Sequence, residues 1–322
     1  KIWQDATIQN IGIYAEANYK LSNKWMLISG IRTDFVEAKI EDPAADFEAL
    51  YGSINTENDT NLSFNTSLKY RNNGFKSQLS FGRGVRSASM IERFINHFSV
   101  GVDPYEYVGN PNLKPEKNTQ LELSTSKHFT KITVGANVFY SFLDDYIVPV
   151  VNPNIPRKFM PTVQPTIAKQ FTNIDKAYQT GVEFLFNYKA SNKWLFNSAF
   201  SYTQGKNRAL NEPLPQIPPF KAILEVKYQK EKYWVAVQSN LVAAQNKVAK
   251  SFNEKQSKGY GVVDLRLGFE PNSNISIGAS IQNVFDKQYY NHLNFSYKNA
   301  DVLMGKIYEP GRSFTTYVKY TF

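Results

Sequence analysis

The chain has 322 residues and a formal net charge of +9, and 15% of its residues are aromatic, with 20 tyrosines and 23 phenylalanines. It contains no cysteine, which excludes disulfide bonds, a thiol nucleophile and a thiolate metal site. No stretch of about 18 apolar residues occurs, which excludes a transmembrane helix. The lysines and arginines are spread along the chain instead of forming one cluster, and this distribution argues against a nucleic-acid partner.

Apolar and polar residues alternate along most of the chain, which is the pattern of β-strands with one apolar side. The first apolar series consists of Ile11, Ile13, Ala15, Ala17, Tyr19 and Leu21. Twelve further strands are predicted near Trp25–Phe35, Leu62–Tyr70, Phe75–Phe81, Asn118–Phe129, Ile132–Leu143, Thr180–Tyr188, Trp194–Tyr202, Lys221–Gln229, Tyr233–Leu241, Gly261–Glu270, Ile275–Gln282 and Gly311–Phe322. The period of two excludes helices. Only every second residue of a barrel strand meets lipid, so the mean hydropathy of −0.43 is compatible with a transmembrane β-barrel.

The last strand carries this pattern to the end of the chain. Phe314, Val318 and Phe322 share one side of the strand, together with Thr316 and Tyr320. A frayed terminus of a soluble protein gains little from a final aromatic residue. A membrane barrel pairs its last strand and exposes one side of it to lipid, so these residues predict the closing strand of an antiparallel transmembrane β-barrel.

Short and long connections alternate between the predicted strands. Long loops are expected at about Val36–Asp59, Ser87–Glu116, Asp144–Lys176, Val242–Lys258 and Asn283–Pro310, and a further loop holds the proline-rich Leu214–Pro219. Bacterial barrels have short periplasmic turns and longer extracellular loops. About thirteen strands is an odd number, and an antiparallel ring closes only with an even number. We therefore expect the C-terminal part of a larger barrel, in a chain that begins in the middle of a protein.

Four motifs occur in a fixed order along the chain. They are GRGVRSASMIERF at 82–94, VGNPNLKPEKN at 108–118, IQNVFDKQYYNHL at 281–293 and EPGRSFTTYVKYTF at 309–322. Together they resemble the barrel of TonB-dependent outer-membrane receptors. Within the first motif, Arg83, Arg86, Glu92 and Arg93 are expected to form ion pairs inside the barrel, against a plug.

The resemblance implies that residues 1–322 form an all-β domain, the C-terminal thirteen or so strands of a 22-stranded plugged barrel. The N-terminal plug and the first strands would then lie outside this chain. The implied location is the bacterial outer membrane, with the C-terminus in the periplasm. The implied partners are the TonB energy-transducing complex, reached through the plug, the receptor's own plug and first strands, and outer-membrane lipid and lipopolysaccharide.

The implied function is TonB-coupled active uptake of a metal or a metal chelate, either a ferric siderophore or copper, with no permanently bound cofactor. A haem receptor, a passive porin and a structural barrel subunit of an outer-membrane complex are the alternatives. An enzyme is not expected, because no nucleophile, base and orienting acid stand out together. Aromatic and basic side chains suit anionic iron chelates, and Tyr105, Tyr107 and Arg312 are candidate contacts for such a substrate.

Two cargo-binding patterns involve histidine. His97 lies between the VRSA and NPNL elements, as a histidine does in haem-uptake members of the family, and imidazole can supply an axial ligand to haem iron. Alternatively, His97, His292 and Met304 would bind copper, because nitrogen and thioether sulfur are the ligands that Cu(I) favours. Met90 shares the loop of His97 and is a further candidate contact.

Overall fold

The computed structural model describes residues 1–99, 103–297 and 305–322, and these residues form an antiparallel sheet with small additions. In chain order the elements are β1 (Asp5–Lys20), β2 (Trp25–Asp42), α1 (Ala45–Tyr51), β3 (Glu57–Asn72), β4 (Phe75–Arg86), α2 (Met90–Phe94), β5 (Tyr107–Val108), β6 (Glu116–His128), β7 (Ile132–Pro156), β8 (Ile167–Lys189), β9 (Trp194–Asn207), β10 (Glu212–Pro213), β11 (Lys221–Lys230), β12 (Tyr233–Val242), β13 (Tyr260–Phe269), β14 (Ile275–Gln282), β15 (Ser296–Tyr297), β16 (Gly305–Lys306) and β17 (Ser313–Tyr320).

Thirteen long strands follow one another across the sheet, from β1 at one edge to β17 at the other. This confirms the predicted number of strands and their antiparallel order. The two-residue strands β5 and β10 pair onto the flanks of β8 and β9, while β15 and β16 pair with each other. Among the described residues, neither helix is long and apolar enough to cross a membrane.

The register places apolar side chains opposite one another on one side of the sheet, the apolar face. Cross-strand pairs on this face include Ile31–Phe64, Phe81–Leu121, Val138–Val182, Val237–Leu265 and Ile281–Phe314. Many of these side chains are exposed, although burial of such groups is what stabilises a soluble protein. A continuous band of exposed aliphatic and aromatic residues is the lipid-facing wall of a β-barrel.

The other side, the polar face, carries hydrogen-bonded charged and amide side chains. The Asn197 amide donates to Glu225 at 2.9 Å, and the Arg266 guanidinium contacts Glu225 and donates to Gln238 at 2.9 Å. Because residues alternate between the two faces, one strand supplies both the lipid contact and this polar network. The polar face is therefore the interior side of the wall.

Tight turns join the strands at one end of the sheet, the turn end. Asn73 and Gly74 connect β3 to β4 with φ angles of 44° and 73°, as a two-residue hairpin turn requires. A Cβ at residue 74 would lie 2.7 Å from the carbonyl oxygen of His128, so the turn also needs glycine for space. Aromatic pairs flank these turns, with ring centroids 4.6 Å apart in Trp25–Tyr70. Such rings form the interfacial girdle of a membrane barrel.

The long connections gather at the opposite end, the loop end, and the buried hydrophobic residues collect there. Three clusters of buried side chains occur, and all involve loops or strand extensions: Ala88, Ile95, Tyr105, Tyr107, Leu113, Ile147 and Phe171 in the first, Leu143, Val148, Ile174, Ala177, Leu214, Ala249 and Phe252 in the second, and Phe47, Val108, Ile155 and Ala168 in the third. The loops of this end therefore pack as a folded layer with its own core.

Two expectations about the loop end are wrong. The segment expected to be a loop at 144–176 instead extends β7 to Pro156 and β8 back to Ile167. Tyr146 to Val151 in this extension are buried or half-buried on both sides, so they form an apolar run without the alternation that identified the other strands. Helices also occur, in α1 and α2, and α2 begins at a capping box formed by Ser89 and Glu92.

The first two motifs fold onto each other through arginine–carboxylate contacts. Arg86 at the end of β4 donates to Glu92 of α2 at 2.8 Å and to Glu116 of β6 at 3.1 Å. Glu116 also accepts a hydrogen bond from the backbone amide of Ile147 at 2.9 Å. One arginine therefore bridges carboxylates from both motifs and holds the two segments together.

A second arginine of this motif is completely buried. The Arg93 side chain donates to the carbonyl oxygen of Pro111 at 2.7 Å and to the Asp59 carboxylate at 2.8 Å. Gly109 lies against its backbone, where a Cβ would come within 2.6 Å of the Arg93 carbonyl group. These contacts attach the NPNL turn to α2 and to β3, so the expected ion pairs of Arg86, Glu92 and Arg93 are formed within this chain. The expectation is wrong for Arg83, which lies across from Phe64 on the apolar face and forms no ion pair within the described residues.

The alternation predicts opposite outcomes for neighbouring substitutions in β6. Leu123 lies on the apolar face and is 45% exposed, whereas Ser124 lies on the polar face. We expect Leu123→Arg to lower the free energy of unfolding by about 2–4 kcal/mol, because it places a charge against lipid. Ser124→Arg serves as the matched control and should change it by about 0.5 kcal/mol. Urea unfolding in lipid vesicles measures both, and equal losses would contradict the assignment of faces.

Loss of the buried arginine should destabilise the loop end. Arg93→Met leaves the Asp59 carboxylate and the Pro111 carbonyl oxygen without their donor, and we expect a loss of about 3–5 kcal/mol in the free energy of unfolding. Arg83→Met, in the same motif, is the control, because Arg83 forms no ion pair within the described residues. Limited proteolysis of the loop end reports the same difference, and equal protection of the two variants would refute the role of Arg93.

Candidate functional site

The candidate site lies in the layer of loops at the loop end, where several connections contact one another. The Lys158 ammonium group, at the end of the β7–β8 hairpin, lies 2.6 Å from the Asp46 carboxylate of α1. The Val151 amide of β7 donates to the carbonyl oxygen of Ser251 at 3.1 Å. The loops therefore hold one another in place, and side chains from distant parts of the sequence become neighbours.

His97 is buried and held by a carboxylate. The side chain is 6% exposed, and Nδ1 lies 3.0 Å from Oε2 of Glu106, which is itself 2% exposed. Glu106 also accepts hydrogen bonds from the backbone amides of Lys158 and Phe159, at 2.8 and 2.9 Å. His97 has a φ of 55°, a left-handed conformation that is uncommon outside glycine and asparagine and that occurs often at functional sites.

The environment of His97 favours the neutral imidazole. Burial lowers the pKa of His97 below its usual value of 6.5, although the hydrogen bond to Glu106 acts in the opposite direction. A carboxylate can only accept a hydrogen bond, so the proton of the neutral ring lies on Nδ1. Nε2 then keeps its lone pair, and among the described residues it has no hydrogen-bond partner. This is the arrangement of an imidazole prepared to bind a metal through Nε2.

A buried ammonium group lies at the centre of a neighbouring cluster. Lys169 of β8 is 0% exposed and forms an ion pair with Asp103. Three aromatic rings surround its ammonium group, with centroids 3.3 Å away at Phe252, 5.0 Å at Tyr105 and 5.6 Å at Tyr107. Cation–π contacts of this kind strengthen when they are shielded from water. The cluster joins the loop after β4, the start of β8 and the loop after β12.

Both tyrosines predicted as substrate contacts belong to this cluster. Tyr107 donates its hydroxyl proton to Asp103 at 3.0 Å, and burial raises its pKa above the usual value. The Tyr105 hydroxyl accepts a hydrogen bond from the Asn253 amide at 2.8 Å. Both hydroxyl groups are therefore engaged within the chain.

His292 occupies a second buried site. Its Nδ1 lies 3.0 Å from the Ser257 hydroxyl, and its Nε2 lies 3.1 Å from Oε1 of Glu254. Glu254 accepts two further hydrogen bonds, from the backbone amides of Gln216 at 2.7 Å and Ala249 at 2.9 Å. Both ring nitrogens of His292 have hydrogen-bond partners, whereas His97 has a partner at Nδ1 alone among the described residues.

The remaining predicted residues lie apart from these centres. Met90 is the first residue of α2 and lines a groove with Arg32 and Asp34. Arg312 is exposed, and its backbone amide donates to the Asp286 carboxylate at 2.8 Å. Met304 lies outside the described residues. Within those residues, no three or more His, Cys, Asp and Glu side chains form a group that could hold a metal ion.

Sequence reasoning identified the histidines and missed the charged groups that hold them. Glu106 and Glu254 lie in polar loops, where a single carboxylate has no distinguishing pattern. Lys169 could have been recognised from the sequence. Ile167, Lys169 and Phe171 are every second residue of β8, so the lysine occupies a position where an apolar residue is expected. The unrecognised extension of β8 concealed it.

The chain is similar in sequence to proteins that are named for the use of heme or hemin. The chain is 27% identical over 240 residues to the heme/hemopexin utilization protein C of Haemophilus influenzae (strain ATCC 51907 / DSM 11121 / KW20 / Rd), which covers 65% of this chain and 32% of the relative. It is 25% identical over 228 residues to the hemin receptor of Yersinia pestis, which covers 66% of this chain and 32% of that receptor. The chain thus spans about a third of the length of these curated relatives.

Solved structures share the fold over nearly the whole chain. The copper transporter OprC superposes with a TM-score of 0.82 at 24% identity, covering 99% of this chain and 48% of OprC. The ferric yersiniabactin uptake receptor FyuA from Yersinia pestis superposes with a TM-score of 0.69 at 16% identity, covering 98% of this chain and 46% of FyuA. The chain therefore corresponds to about half of each of these proteins.

The family model described as "TonB dependent receptor-like, beta-barrel" matches residues 2–284. This match, the thirteen-strand wall and the relatives all agree with the resemblance found in the four motifs. The barrels of this family are outer-membrane proteins, and its members are transport receptors, not enzymes. The chain belongs to the family of TonB-dependent receptors.

Proposed function

We propose that this chain is part of a receptor for TonB-coupled uptake of haem across the outer membrane, with His97 as an axial ligand of the haem iron. The observation that carries the proposal is the buried imidazole of His97, whose Nδ1 is fixed by Glu106 at 3.0 Å. Haem iron accepts an axial imidazole nitrogen, and the lone pair of Nε2 suits this role. Relatives named for heme and hemin use support the choice of cargo.

The Glu106 carboxylate fixes the orientation of the His97 ring and affects the basicity of its Nε2. A metal-binding histidine commonly donates its second N–H to a carboxylate or carbonyl group, which fixes the ring and raises the basicity of the other nitrogen. Glu106 fits this role, because the hairpin amides of Lys158 and Phe159 fix its own orientation. His97 is thus prepared to bind iron without a large rearrangement of its partner.

In the proposed receptor the loop end faces the exterior, and the C-terminus lies in the periplasm. This orientation follows the rule that bacterial barrels have long extracellular loops and short periplasmic turns. Cargo would reach His97 from outside, and a plug segment of the whole receptor would transmit energy from the TonB complex. The plug, the upstream strands and TonB are partners in this proposal.

Copper and ferric siderophores are the competing cargoes. Copper binding through His97, His292 and Met304 would require His292 to leave both Ser257 and Glu254. Siderophore binding by Tyr105 and Tyr107 would require two hydroxyl groups that are engaged within the chain. Coordination of haem iron by His97 uses Nε2, which has no hydrogen-bond partner among the described residues.

Two functions other than active uptake are also distinguishable. Membership of the family argues against a passive porin. A structural barrel subunit without transport activity would fail to support growth on haem.

Removal of the imidazole should abolish tight haem binding. We expect His97→Ala in the complete receptor to weaken haem binding at least about 100-fold, since loss of a ligand's hydrogen-bond partner alone costs about 10–100-fold. The shift of the haem Soret band during titration measures binding. His292→Ala is the matched control, a second buried histidine with a glutamate partner, and it should retain the shift.

The parent receptor and its histidine variants also distinguish haem from the competing cargoes. Haem binding that survives His97→Ala would refute the axial-ligand assignment. Calorimetric copper binding that the parent shows, and that the combined His97→Ala, His292→Ala and Met304→Ala variant loses, would favour copper. Growth with haem as the iron source, lost when TonB is deleted, tests the transport function itself.

Glu106 should affect haem through His97. Glu106→Gln keeps the side-chain shape but removes the charge opposite Nδ1, and we expect haem affinity to fall about 10–100-fold. The absorption spectrum of bound haem should also change, because a less basic imidazole donates less electron density to iron. Glu254→Gln, at the partner of His292, is the control. Identical haem spectra for the parent and Glu106→Gln would contradict the role of Glu106.

A further inference from the structure

Lys169 is a fully buried cation that has no part in the wall or in the proposed coordination of iron. Its ammonium group forms an ion pair with Asp103, which is 9% exposed. Lysine is almost never fully buried unless it is paired. A buried pair of this kind adds little net stability compared with apolar packing, but it selects one arrangement of the segments that carry it. The segment that Lys169 fixes therefore matters for the site.

The backbone of Tyr107 lies between the segment that carries His97 and strand β8. On one side, Tyr107 exchanges two backbone hydrogen bonds with Phe98, at 2.8 and 3.0 Å. On the other side, Tyr107 pairs in parallel with Lys169, whose amide donates to the carbonyl oxygen of Glu106 at 2.8 Å. The imidazole of His97 and the carboxylate of Glu106 belong to the residues just before this pairing, so the pairing sets their separation.

The lysine and the histidine lie on opposite sides of the segment around β5. The rings of Tyr105 and Tyr107 face the Lys169 ammonium group, with centroids 5.0 and 5.6 Å from it. Glu106 lies between the two tyrosines, and successive side chains of an extended chain point to opposite sides. The Glu106 carboxylate therefore lies on the other side, where it contacts His97. Lys169 holds the segment from behind.

Asp103 connects the lysine to both residues that flank the glutamate. Its Oδ2 contacts the Lys169 ammonium group and accepts the hydroxyl proton of Tyr107 at 3.0 Å. Its Oδ1 accepts a hydrogen bond from the backbone amide of Tyr105 at 2.9 Å. The ring of Phe252, from the loop after β12, covers the ammonium group with its centroid 3.3 Å away. Shielding from water strengthens both the ion pair and the cation–π contact, so the segment is held firmly.

We propose that Lys169 is a positioning residue for the axial ligand, because its ion pair with Asp103 fixes the segment that orients Glu106 toward Nδ1 of His97. The ring proton then stays on Nδ1, and Nε2 keeps the lone pair that binds iron. This inference rests on the proposed function in naming haem iron as the ligand of Nε2. The tautomer itself is a property of the receptor without haem, and it can be measured separately.

The first test measures the imidazole in the complete receptor without haem. Nitrogen-15 NMR of the histidine-labelled protein, at alkaline pH where the ring is neutral, distinguishes the two tautomers, and the signal lost in His97→Ala identifies this residue. The parent should carry the proton on Nδ1. Lys169→Met should give a mixture of tautomers, because the hydrogen bond to the carboxylate is what selects one. Lys117→Met is the matched control, since it removes another lysine–aspartate pair, with Asp145 at 3.0 Å, and it should keep the parent tautomer.

A second variant reaches the same ion pair from the other side. Asp103→Asn keeps the size of the side chain and weakens its contact with Lys169, so it should give the same mixture of tautomers. A heat-dependent shift in gel mobility shows which variants retain a folded barrel. A role in stability alone would lower the resistance to unfolding and leave the tautomer of the folded protein unchanged.

Haem titration then connects the ring to its ligand. Partners behind a metal ligand contribute about 10–100-fold to affinity, and we expect Lys169→Met and Asp103→Asn each to weaken haem binding about 10-fold. The absorption spectrum of their bound haem should shift toward that of Glu106→Gln. Lys117→Met should bind haem with the affinity and the spectrum of the parent.

The outcomes separate this proposal from the proposed function. A single tautomer with the proton on Nδ1 in either folded variant of the ion pair would overturn the role of Lys169, and so would unchanged haem affinity and spectrum. Axial ligation by His97 would remain in that case. Haem binding that survives His97→Ala would instead remove the cargo assignment, and a mixture of tautomers in Lys169→Met would still establish that the lysine positions the ring.

Discussion

The structure depends on one requirement: every backbone amide and carbonyl group in a lipid-facing wall needs a hydrogen-bond partner. No water is available within hydrocarbon to satisfy these groups, so strands must pair along their whole length. Once β2 is paired with β1 and β3, each side chain is assigned to one of two faces. The apolar face, the polar face and the separation of turns from loops all follow from that pairing.

The wall and the loop layer are stabilised in different ways. The wall exposes its apolar residues to lipid, whereas the buried hydrophobic clusters lie at the loop end. Charged groups are buried in that layer as well, with Arg93 against Asp59 and Lys169 against Asp103. Buried ion pairs contribute little net stability compared with apolar packing, but breaking one is costly. They therefore favour one arrangement of the loops over the others that the same apolar residues would permit.

The sequence predicted the wall well and the loop layer poorly, and the two outcomes have one cause. Alternation such as that from Ile11 to Leu21 arises where one side of a strand meets lipid and the other meets a polar interior. Tyr146 to Val151 are covered on both sides, so their extended structure leaves no alternating trace. His97 could be selected because of its position between two motifs. Glu106 could not, because its contact with His97 depends on the path of two loops and on hairpin amides far along the chain.

The position of Glu106 links two parts of the loop layer thermodynamically. Its carboxylate holds the imidazole of His97 and is itself held by the amides of Lys158 and Phe159 near the tip of the β7–β8 hairpin. A ligand that binds best to one orientation of the His97 ring must therefore also favour one conformation of the β7–β8 hairpin. Linkage is reciprocal, so whatever restrains the hairpin from outside changes affinity at the ring by the same factor. In the proposed receptor, a contact made at the hairpin tip is therefore coupled to the affinity of Nε2 of His97 for its ligand.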